Sequence, residues 1–277
     1  MDKNKFKIII EPNSSNYNYW KDLLYYKDLF FVLAWRDVAV KYKQTIIGFA
    51  WALIQPVLTM IVLTFAFSKI AKLPNEGDAP YTLMVLAGLL PWTFFSSSLT
   101  GASNSLISNS NLISKIYFPR IIMPTSAVVV CFVDFIIGFI ILIFLMFWYK
   151  YYPGIQILTL PFFILLAFLA SIGPGLFVTA LNVKFRDFRY VIPFFVQFGL
   201  YISPIGYSST IIPEKWKFLY SLNPMVCVID GFRWSILNGQ TKLDTESFLI
   251  SLSVLLIFLF LGFRKFRNLE KEFADYI

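Results

Sequence analysis

The chain has 277 residues, of which 58% are hydrophobic and only 14% are charged, and its mean hydropathy is +0.68. Soluble domains carry about 25% charged residues, so this composition excludes an ordinary soluble domain and predicts a polytopic membrane protein. The net charge of +8 could suggest nucleic-acid binding, and the positions of the basic residues along the chain decide that question below.

Metal and redox sites find little support in the sequence. The chain has no histidine, and its two cysteines, Cys131 and Cys227, stand singly within or beside apolar stretches. This arrangement offers neither the paired spacing of a zinc site nor a disulfide framework. We therefore expect both cysteines to be small buried hydrophobic residues, and we expect this chain to hold no metal and no cofactor.

The N-terminal segment, residues 1–45, begins with a polar, turn-rich stretch that reaches residue 19. From Trp20 to Tyr42, hydrophobic residues recur at spacings of three and four, and most charged residues lie off that face. This pattern is typical of an amphipathic helix that lies in the membrane interface. A soluble helix that packs against a partner is the alternative interpretation. We predict a cytoplasmic segment with an interfacial helix.

Six apolar segments follow within residues 46–263 and predict a six-helix transmembrane domain. At about 1.5 Å per residue, a helix of about 20 residues crosses the roughly 30 Å hydrocarbon core of a bilayer. Gly88 and Pro91 interrupt the second segment, which could instead form a broken, partly re-entrant helix. The predicted spans cover residues 46–68, 81–99, 121–148, 155–182, 190–207 and 248–263.

The longest connection, residues 208–247, contains two aromatic, partly apolar portions at residues 216–222 and 225–237. Both portions are too short to cross a bilayer. Pro213 and Pro224 precede them, and proline favours the start of a helix over its interior. We predict two short re-entrant helices before the last span, so the fold class is an all-α polytopic membrane protein.

Lysine and arginine residues are concentrated in alternate connections. With the N-terminus inside, seventeen of the 24 lie on the inner side, before residue 46, in 100–120, in 183–189 or after residue 263. Because basic residues favour the cytoplasmic side, both termini are predicted to be cytoplasmic, with residues 264–277 as a cytoplasmic tail. Topology thus accounts for the net charge, and a nucleic-acid partner loses its main support.

Residues that could perform chemistry or carry coupled ions are scarce. The sequence has no phosphate-binding GxxxxGK[ST] loop and no histidine for acid–base catalysis. Asp134 is the one clear ionisable residue deep within a predicted span, where it either forms a functional site or pairs with a neighbouring helix. Ion-coupled carriers usually have more such groups. We therefore expect no catalytic residue in this chain and an energy source outside it.

Several motifs in a fixed order carry a family resemblance. They are WRDVAVKYKQTIIGFAWALIQP at 35–56, GLLPWTFFSSSL at 88–99, NLISKIYFPR at 111–120 with Pro124, NVKFRDFRYVIPFFVQFGLYISPIGY at 182–207, and NPM at 223–225 followed by Arg233. Together they resemble the membrane subunit of ABC-2-type polysaccharide exporters, over nearly the whole chain. Two positions differ from that family: Lys41 stands where arginine is frequent, and Ile121 stands where glutamate commonly follows the FPR triplet.

The resemblance implies a homodimer in the bacterial cytoplasmic membrane, paired with two copies of a cytoplasmic ABC ATPase that binds ATP and Mg. Short charged segments at the cytoplasmic face would transmit ATP-driven movement to the spans, since charged side chains can dock a soluble partner. A simple role in fixing membrane topology is the alternative for each. The candidate coupling residues are Arg36, Asp37, Lys115, Arg120, Arg186 and Asp187.

The substrate implied by the resemblance is a lipid-linked polysaccharide, which would pass among membrane lipids and aromatic side chains. Aromatic residues make up 19% of the chain, and aromatic belts at the membrane interfaces are the competing explanation. Cations at the inner mouth would bind the lipid pyrophosphate. The candidates are Trp51, Trp92, Phe94, Phe95, Phe194, Phe195, Tyr201 and Tyr207 for the path, and Lys43, Lys115, Arg120 and Arg186 for the pyrophosphate.

We therefore predict the permease subunit of an ATP-driven exporter of O-antigen, capsular polysaccharide or teichoic acid. A membrane-embedded glycan-modifying enzyme is an alternative, and it would require acidic or histidine residues to converge at a membrane-facing loop. An ABC-2 exporter of small lipids or drugs would share the same architecture. A passive channel would conduct without ATP.

Overall fold

The computed structural model describes residues 16–43, 48–75, 77–185, 187–240 and 243–273. Helices, turns and irregular connections make up these ranges, with no strand among them, so the prediction of an all-α fold is confirmed. The α-helices of the described residues are α1 (Asn16–Tyr25), α2 (Lys27–Lys43), α3 (Gly48–Thr64), α4 (Tyr81–Ser108), α5 (Ser110–Ile113), α6 (Ile122–Trp148), α7 (Leu160–Lys184), α8 (Phe188–Ile202), α9 (Glu214–Ser221), α10 (Met225–Ile236) and α11 (Thr245–Leu269).

Five helical segments in the described part of the chain are long and apolar enough to cross a membrane. One runs from α3 into a π-helical turn (Phe65–Ile70), and another joins a 3-10 turn (Ile155–Thr159) to α7. The other three correspond to α4, α6 and α11. Five of the six predicted spans thus coincide with helices of spanning length and composition.

The predicted span at 190–207 corresponds to α8, which is shorter than the others. Its 15 residues rise about 22 Å, less than the roughly 30 Å of a hydrocarbon core. The turn after α8 brings the carbonyl of Ile205 to a side chain that also contacts Met84, close to the start of α4. Residues 188–207 therefore connect opposite ends of the bundle through a short helix and a turn, and the count of six crossings stays a prediction.

The two ends of the described chain lie at the same end of the bundle. A hydrophobic cluster there joins Leu33 of α2, Val183 of α7, and Leu269 and Phe273 of the C-terminal part. Tyr19 also donates a hydrogen bond to Glu270, with 3.3 Å between the oxygen atoms. We call this the inner end, because the distribution of basic residues predicts that it faces the cytoplasm.

Helix α4 occupies the centre of the bundle and packs against α3, α6, α7, α8 and α10. It continues without a break through Gly88 and Pro91, so the alternative of a broken second span is wrong. Gly88 instead allows close packing, since a Cβ atom there would lie 3.2 Å from both Arg233 and Ile229 of α10. The neighbouring helices, rather than a bend in α4, therefore account for this glycine.

Helices α7 and α11 cross at very short range. A Cβ atom at Gly262 would lie 2.1 Å from the carbonyl oxygen of Gly173, and a Cβ atom at Gly173 would meet the backbone of Leu259. Small residues allow such close contact between membrane helices, where dispersion forces drive association. The two backbones are therefore in direct contact at this crossing.

Two short helices, α9 and α10, form where the sequence predicts them. Helix α10 is almost entirely buried and packs against α4, α7 and α11, whereas most of α9 is exposed. Their re-entry into the outer leaflet stays a prediction. Burial of α10 means that the longest connection contributes to the core of the bundle.

Helix α2 slopes along α6 from the inner end. Leu33 belongs to the inner-end cluster that includes Ile122, the first residue of α6, whereas Lys41 contacts Asp134, the thirteenth residue of α6. These two points on α6 are about 18 Å apart along the helix axis. Apolar side chains, including that of Trp35, remain exposed on the outer surface of α2. This part of the predicted interfacial helix thus extends well along a predicted span.

Candidate functional site

The candidate coupling residues Arg36 and Asp37 join α2 to the end of α4. The Nε atom of Arg36 donates to Oδ1 of Asp37 at 2.8 Å, and its Nη2 atom donates to Oδ1 of Asn109 at 2.9 Å. Arg36 is exposed at the surface. A partner that binds this surface would therefore contact a residue linked to two helices.

Arg120, another coupling candidate, is held by the C-terminal part of the chain. Its backbone N–H donates to Oε1 of Glu270 at 2.8 Å, and its Nη1 atom donates to the carbonyl oxygen of the same residue at 2.5 Å. Arg267 forms an ion pair with Glu270 at 3.2 Å and lies 3.4 Å from the ring centre of Tyr19. Burial of Tyr19 raises the pKa of its hydroxyl, and the nearby Glu270 carboxylate raises it further.

Glu270 therefore connects α1, the loop before α6 and the end of α11. Glu270 is absent from the candidates predicted from the sequence, where the C-terminal tail counts only as a source of positive charge. The signal that could have found it is an acidic residue placed three positions after Arg267, the spacing of a helical ion pair.

The remaining inner-end candidates are dispersed. Lys115 and Asp187 are exposed, and Arg186 lies outside the described residues. Lys43 follows Lys41, whose partner Asp134 is about 18 Å along α6 from the inner end. Among the four residues predicted to bind a pyrophosphate, Lys43 therefore lies apart from Lys115, and the side chain of Arg120 already contacts Glu270.

Two of the aromatic path candidates lie in the protein core. Phe94 is 2% exposed and Trp92 is 5% exposed. The ring of Phe94 is 5.6 Å from that of Phe135 and 5.0 Å from that of Phe168, in the range of favourable aromatic contacts. Trp92 and Phe94 therefore contribute to core packing, and Phe94 also lines a cavity together with Trp51.

The other path candidates have more accessible rings. Trp51 on α3, and Phe194, Phe195 and Tyr201 on α8, are 56 to 64% exposed, and Phe95 is half-buried. Tyr207 is also half-buried, and its hydroxyl donates to the carbonyl of Ile202 at 2.5 Å. Helix α8 buries only Ile192, so its surface is an exposed aromatic face.

A row of polar side chains, which we call the α4 polar stripe, lies on the surface of α4. It consists of Thr93, Ser96, Ser97, Thr100 and Asn104, which recur at the three- and four-residue spacing of one helix face and are all partly or fully exposed. Three of the hydroxyl groups donate to carbonyls of the preceding turn, which leaves their oxygen atoms able to accept hydrogen bonds.

Three residues of the α4 polar stripe lie beside α3. Thr93, Ser96 and Ser97 share a cavity with Trp51 and other residues of α3. On the opposite side, α8 approaches α4 where Gly199 packs against the ring of Trp92. The path residues predicted from the sequence are all aromatic and do not include these polar ones, although the helical spacing of the polar residues is visible in the sequence.

Asp134 has partners from a neighbouring helix, which is one of the two alternatives predicted for it. Its carboxylate accepts hydrogen bonds from the ammonium of Lys41 and the hydroxyl of Tyr42, both in the last turn of α2. The cluster lies beside a cavity of about 170 Å³ between α3, α4 and α6. Cys131 also lines this cavity and is buried, as is Cys227 elsewhere, so the prediction of buried cysteines is confirmed.

Arg233 is fully buried in the bundle, and its side chain donates hydrogen bonds to backbone carbonyls. Its guanidinium donates to the carbonyl oxygens of Met84 at 3.2 Å, Ile205 at 2.6 Å and Tyr207 at 2.8 Å. The planar fork of arginine can satisfy several acceptors that a single ammonium could not reach. Arg233 thereby joins α10, the start of α4 and the turn after α8.

Acidic residues also line a pocket of about 360 Å³ between α9, α10 and the start of α11. Asp244 caps α11 by accepting from the N–H of Ser247 at 3.0 Å, and it forms an ion pair with Lys217 at 3.0 Å. The hydrogen bonds from Ser247 lower the pKa of this carboxyl. Throughout the described ranges, no three His, Cys, Asp or Glu side chains come together as a metal site would require.

The fold defines a multi-pass α-helical membrane protein. Residues 28–237 match the ABC-2 type transporter family, and the chain belongs to that family. The resemblance noted in the sequence motifs is thereby confirmed.

Several curated proteins are similar over nearly their whole length. The O-antigen export system permease protein RfbA of Klebsiella pneumoniae is 29% identical over 92% of this chain and 96% of the relative. RfbA of Myxococcus xanthus is 27% identical over 93% and 98%. The polysialic acid transport protein KpsM of Escherichia coli is 24% identical over 85% and 91%.

Proposed function

We propose that this chain is the permease subunit of an ATP-driven exporter that moves lipid-linked polysaccharide outward across the bacterial cytoplasmic membrane. The observation that carries the proposal is the similarity to O-antigen export permeases over more than nine tenths of both chains. The similarity to a polysialic acid transport protein supports the same substrate class. An O-antigen or a related surface polysaccharide is therefore the proposed cargo.

The proposed path lies between α3 and α8, along the α4 polar stripe. A glycan presents hydroxyl groups and flat C–H faces, which match hydroxyl-bearing residues such as Ser97 and exposed rings such as those of Trp51 and Phe194. Contacts of this kind can follow one another along a polymer without holding any one sugar tightly. In a symmetric homodimer the same surface of both copies would face the polymer.

The proposed docking surface for two ABC ATPase subunits is the inner end. Arg36 and Asp37 offer charged groups linked to α4, and the exposed Asp187 follows α7. ATP and Mg would bind to the partner, whose movement would reach the spans through these residues. In this proposal both termini face the cytoplasm.

The proposed function can be tested by purifying the chain from native membranes and assaying ATP hydrolysis. We expect an ATPase to copurify in a one-to-one ratio, and its attachment or activity to fall in an Arg186→Ala, Asp187→Ala double variant. Arg189→Ala, which changes an exposed cation nearby, serves as the matched control. A chain that purifies without an ATPase and instead alters lipid-linked glycans would contradict the exporter and favour a glycan-modifying enzyme.

A further inference from the structure

The last turn of α2 is attached to the middle of α6 by a charged cluster. Asp134 accepts hydrogen bonds from two consecutive residues, Lys41 and Tyr42. The side chains of Asp134 and Lys41 are 27% and 44% exposed. A carboxylate halfway along a predicted span is costly unless it is paired, and Lys41 and Tyr42 provide that pairing.

Helix α2 has a second attachment about two turns earlier. Leu33 and Ala34 are buried at the inner end, and Arg36 donates to Asn109 there. The helix thus links the surface where the ATPase is proposed to dock with a point about 18 Å along α6. A displacement of its first half would be carried by the helix to Asp134.

The cluster forms part of the wall of the cavity between α3, α4 and α6. Lys41 and Asp134 line this cavity together with Trp51 and Gln55 of α3 and Ser97 of α4. Trp51 and Ser97 also belong to the surface proposed to contact the polysaccharide. The charged cluster therefore lies where the proposed coupling helix meets the proposed path.

We propose that Asp134 is a positioning residue for transport, which holds the end of α2 through Lys41 and Tyr42 so that movement of α2 reaches α6 and the cavity. This inference rests on the proposed function. Loss of the carboxylate charge then separates ATP hydrolysis from export, because the ATPase still binds the inner end while its movement no longer reaches the path.

The test compares variants in the source bacterium and in the purified complex. Asp134→Asn keeps the shape of the side chain and removes its charge, and Lys41→Asp with Asp134→Lys reverses the pair. Ser253→Ala, which removes an exposed hydroxyl on α11 that donates to the carbonyl of Leu249 in the preceding turn, is the control. The readouts are the strain's own surface polysaccharide, by periodate–silver staining of gels, and ATP hydrolysis by the complex.

We expect Asp134→Asn to lower surface polysaccharide at least tenfold while the amount of complex and its ATP hydrolysis stay within twofold of the parent chain. Lys41→Asp alone and Asp134→Lys alone should each lower export at least as much as Asp134→Asn does. The double reversal should recover at least a third of the lost export. Normal export by Asp134→Asn, or equal loss in the single and double reversals, would overturn the proposal.

Tyr42→Phe provides a second measurement in case the charge variants do not assemble. It removes one hydroxyl from the cluster, and we expect a loss of export of severalfold with unchanged ATP hydrolysis. Failure of the charge variants to assemble, together with normal export by Tyr42→Phe, would indicate a purely structural role and overturn the proposal. If the parent chain itself lacks an ATPase partner or does not affect surface polysaccharide, the proposed function has failed instead.

Discussion

Replacement of Arg233 by methionine is expected to destabilise the bundle strongly. The methionine side chain has a similar length and no donor, so the carbonyl oxygens of Met84, Ile205 and Tyr207 lose their hydrogen bonds to the guanidinium. These carbonyls belong to two segments, α4 and the turn after α8, which Arg233 joins to its own helix α10. The substitution therefore loosens the attachment of α10 to α4 and to the turn after α8.

The size of the effect follows from the number of acceptors. A buried polar group left without a partner costs about 1–3 kcal/mol. The carbonyl of Met84 lies within α4 and keeps its helical hydrogen bond, so the carbonyls of Ile205 and Tyr207 account for a loss of roughly 2 kcal/mol or more. Removal of the buried guanidinium recovers part of its own desolvation cost, which favours the lower end of that range. A loss of about 2 kcal/mol raises the ratio of unfolded to folded protein about 30-fold.

The assay is unfolding of the detergent-solubilised chain by sodium dodecyl sulfate, followed by the fluorescence of its seven tryptophans. Arg233→Lys should give an intermediate loss, because one ammonium cannot reach all three carbonyls. Lys215→Met, which removes an exposed cation on α9, should stay within about 0.5 kcal/mol of the parent chain. The reasoning is refuted if Arg233→Met unfolds no more readily than Lys215→Met.

Three further predictions concern other contacts. Gly262→Ala should sharply lower the yield of folded protein in size-exclusion chromatography, because the new methyl would collide with the carbonyl of Gly173. The control Gly101→Ala should leave that yield unchanged, because its methyl would lie 3.7 Å from the nearest side chain. Asp244→Ala should cost about 1 kcal/mol in the same unfolding assay. The pKa of Asp244 is lowered from 3.8, so the stabilisation that its carboxylate gives the folded protein is present above pH 3.8 and is lost as the pH falls through the folded-state pKa. If the stability difference between Asp244→Ala and the parent chain were independent of pH between 2 and 6, this prediction would be contradicted. Ser97→Leu should lower surface polysaccharide severalfold, and an unchanged amount would exclude this part of the stripe from the path.

Length and apolar character were sufficient to predict most of the spans, because a bilayer imposes the same requirement on every crossing helix. The short helices α9 and α10 were also predictable from proline positions and aromatic content. The family was recognisable because its motifs occur in a fixed order from residue 35 to Arg233. These features depend on residues close together in sequence.

Partners distant in sequence could not be predicted. The partner Lys41 is 93 positions from Asp134, and Arg233, which falls in the longest predicted connection, is buried against backbone carbonyls. The aromatic path candidates divided into buried and exposed groups for a related reason. In an apolar span, hydrophobic periodicity does not reveal which face meets protein and which meets lipid, so Phe94 and Phe194 were indistinguishable.

The contact between Gly173 and Gly262 has a consequence for how the protein can move. Because the backbones of α7 and α11 touch there, neither helix can rotate or slide without a collision, and together with the buried α4 and α10 they form a rigid frame. Helices α3 and α8 bury few residues against that frame. Widening of the bundle for a polymer would therefore be a hinge motion of α3 and α8 about a stationary centre.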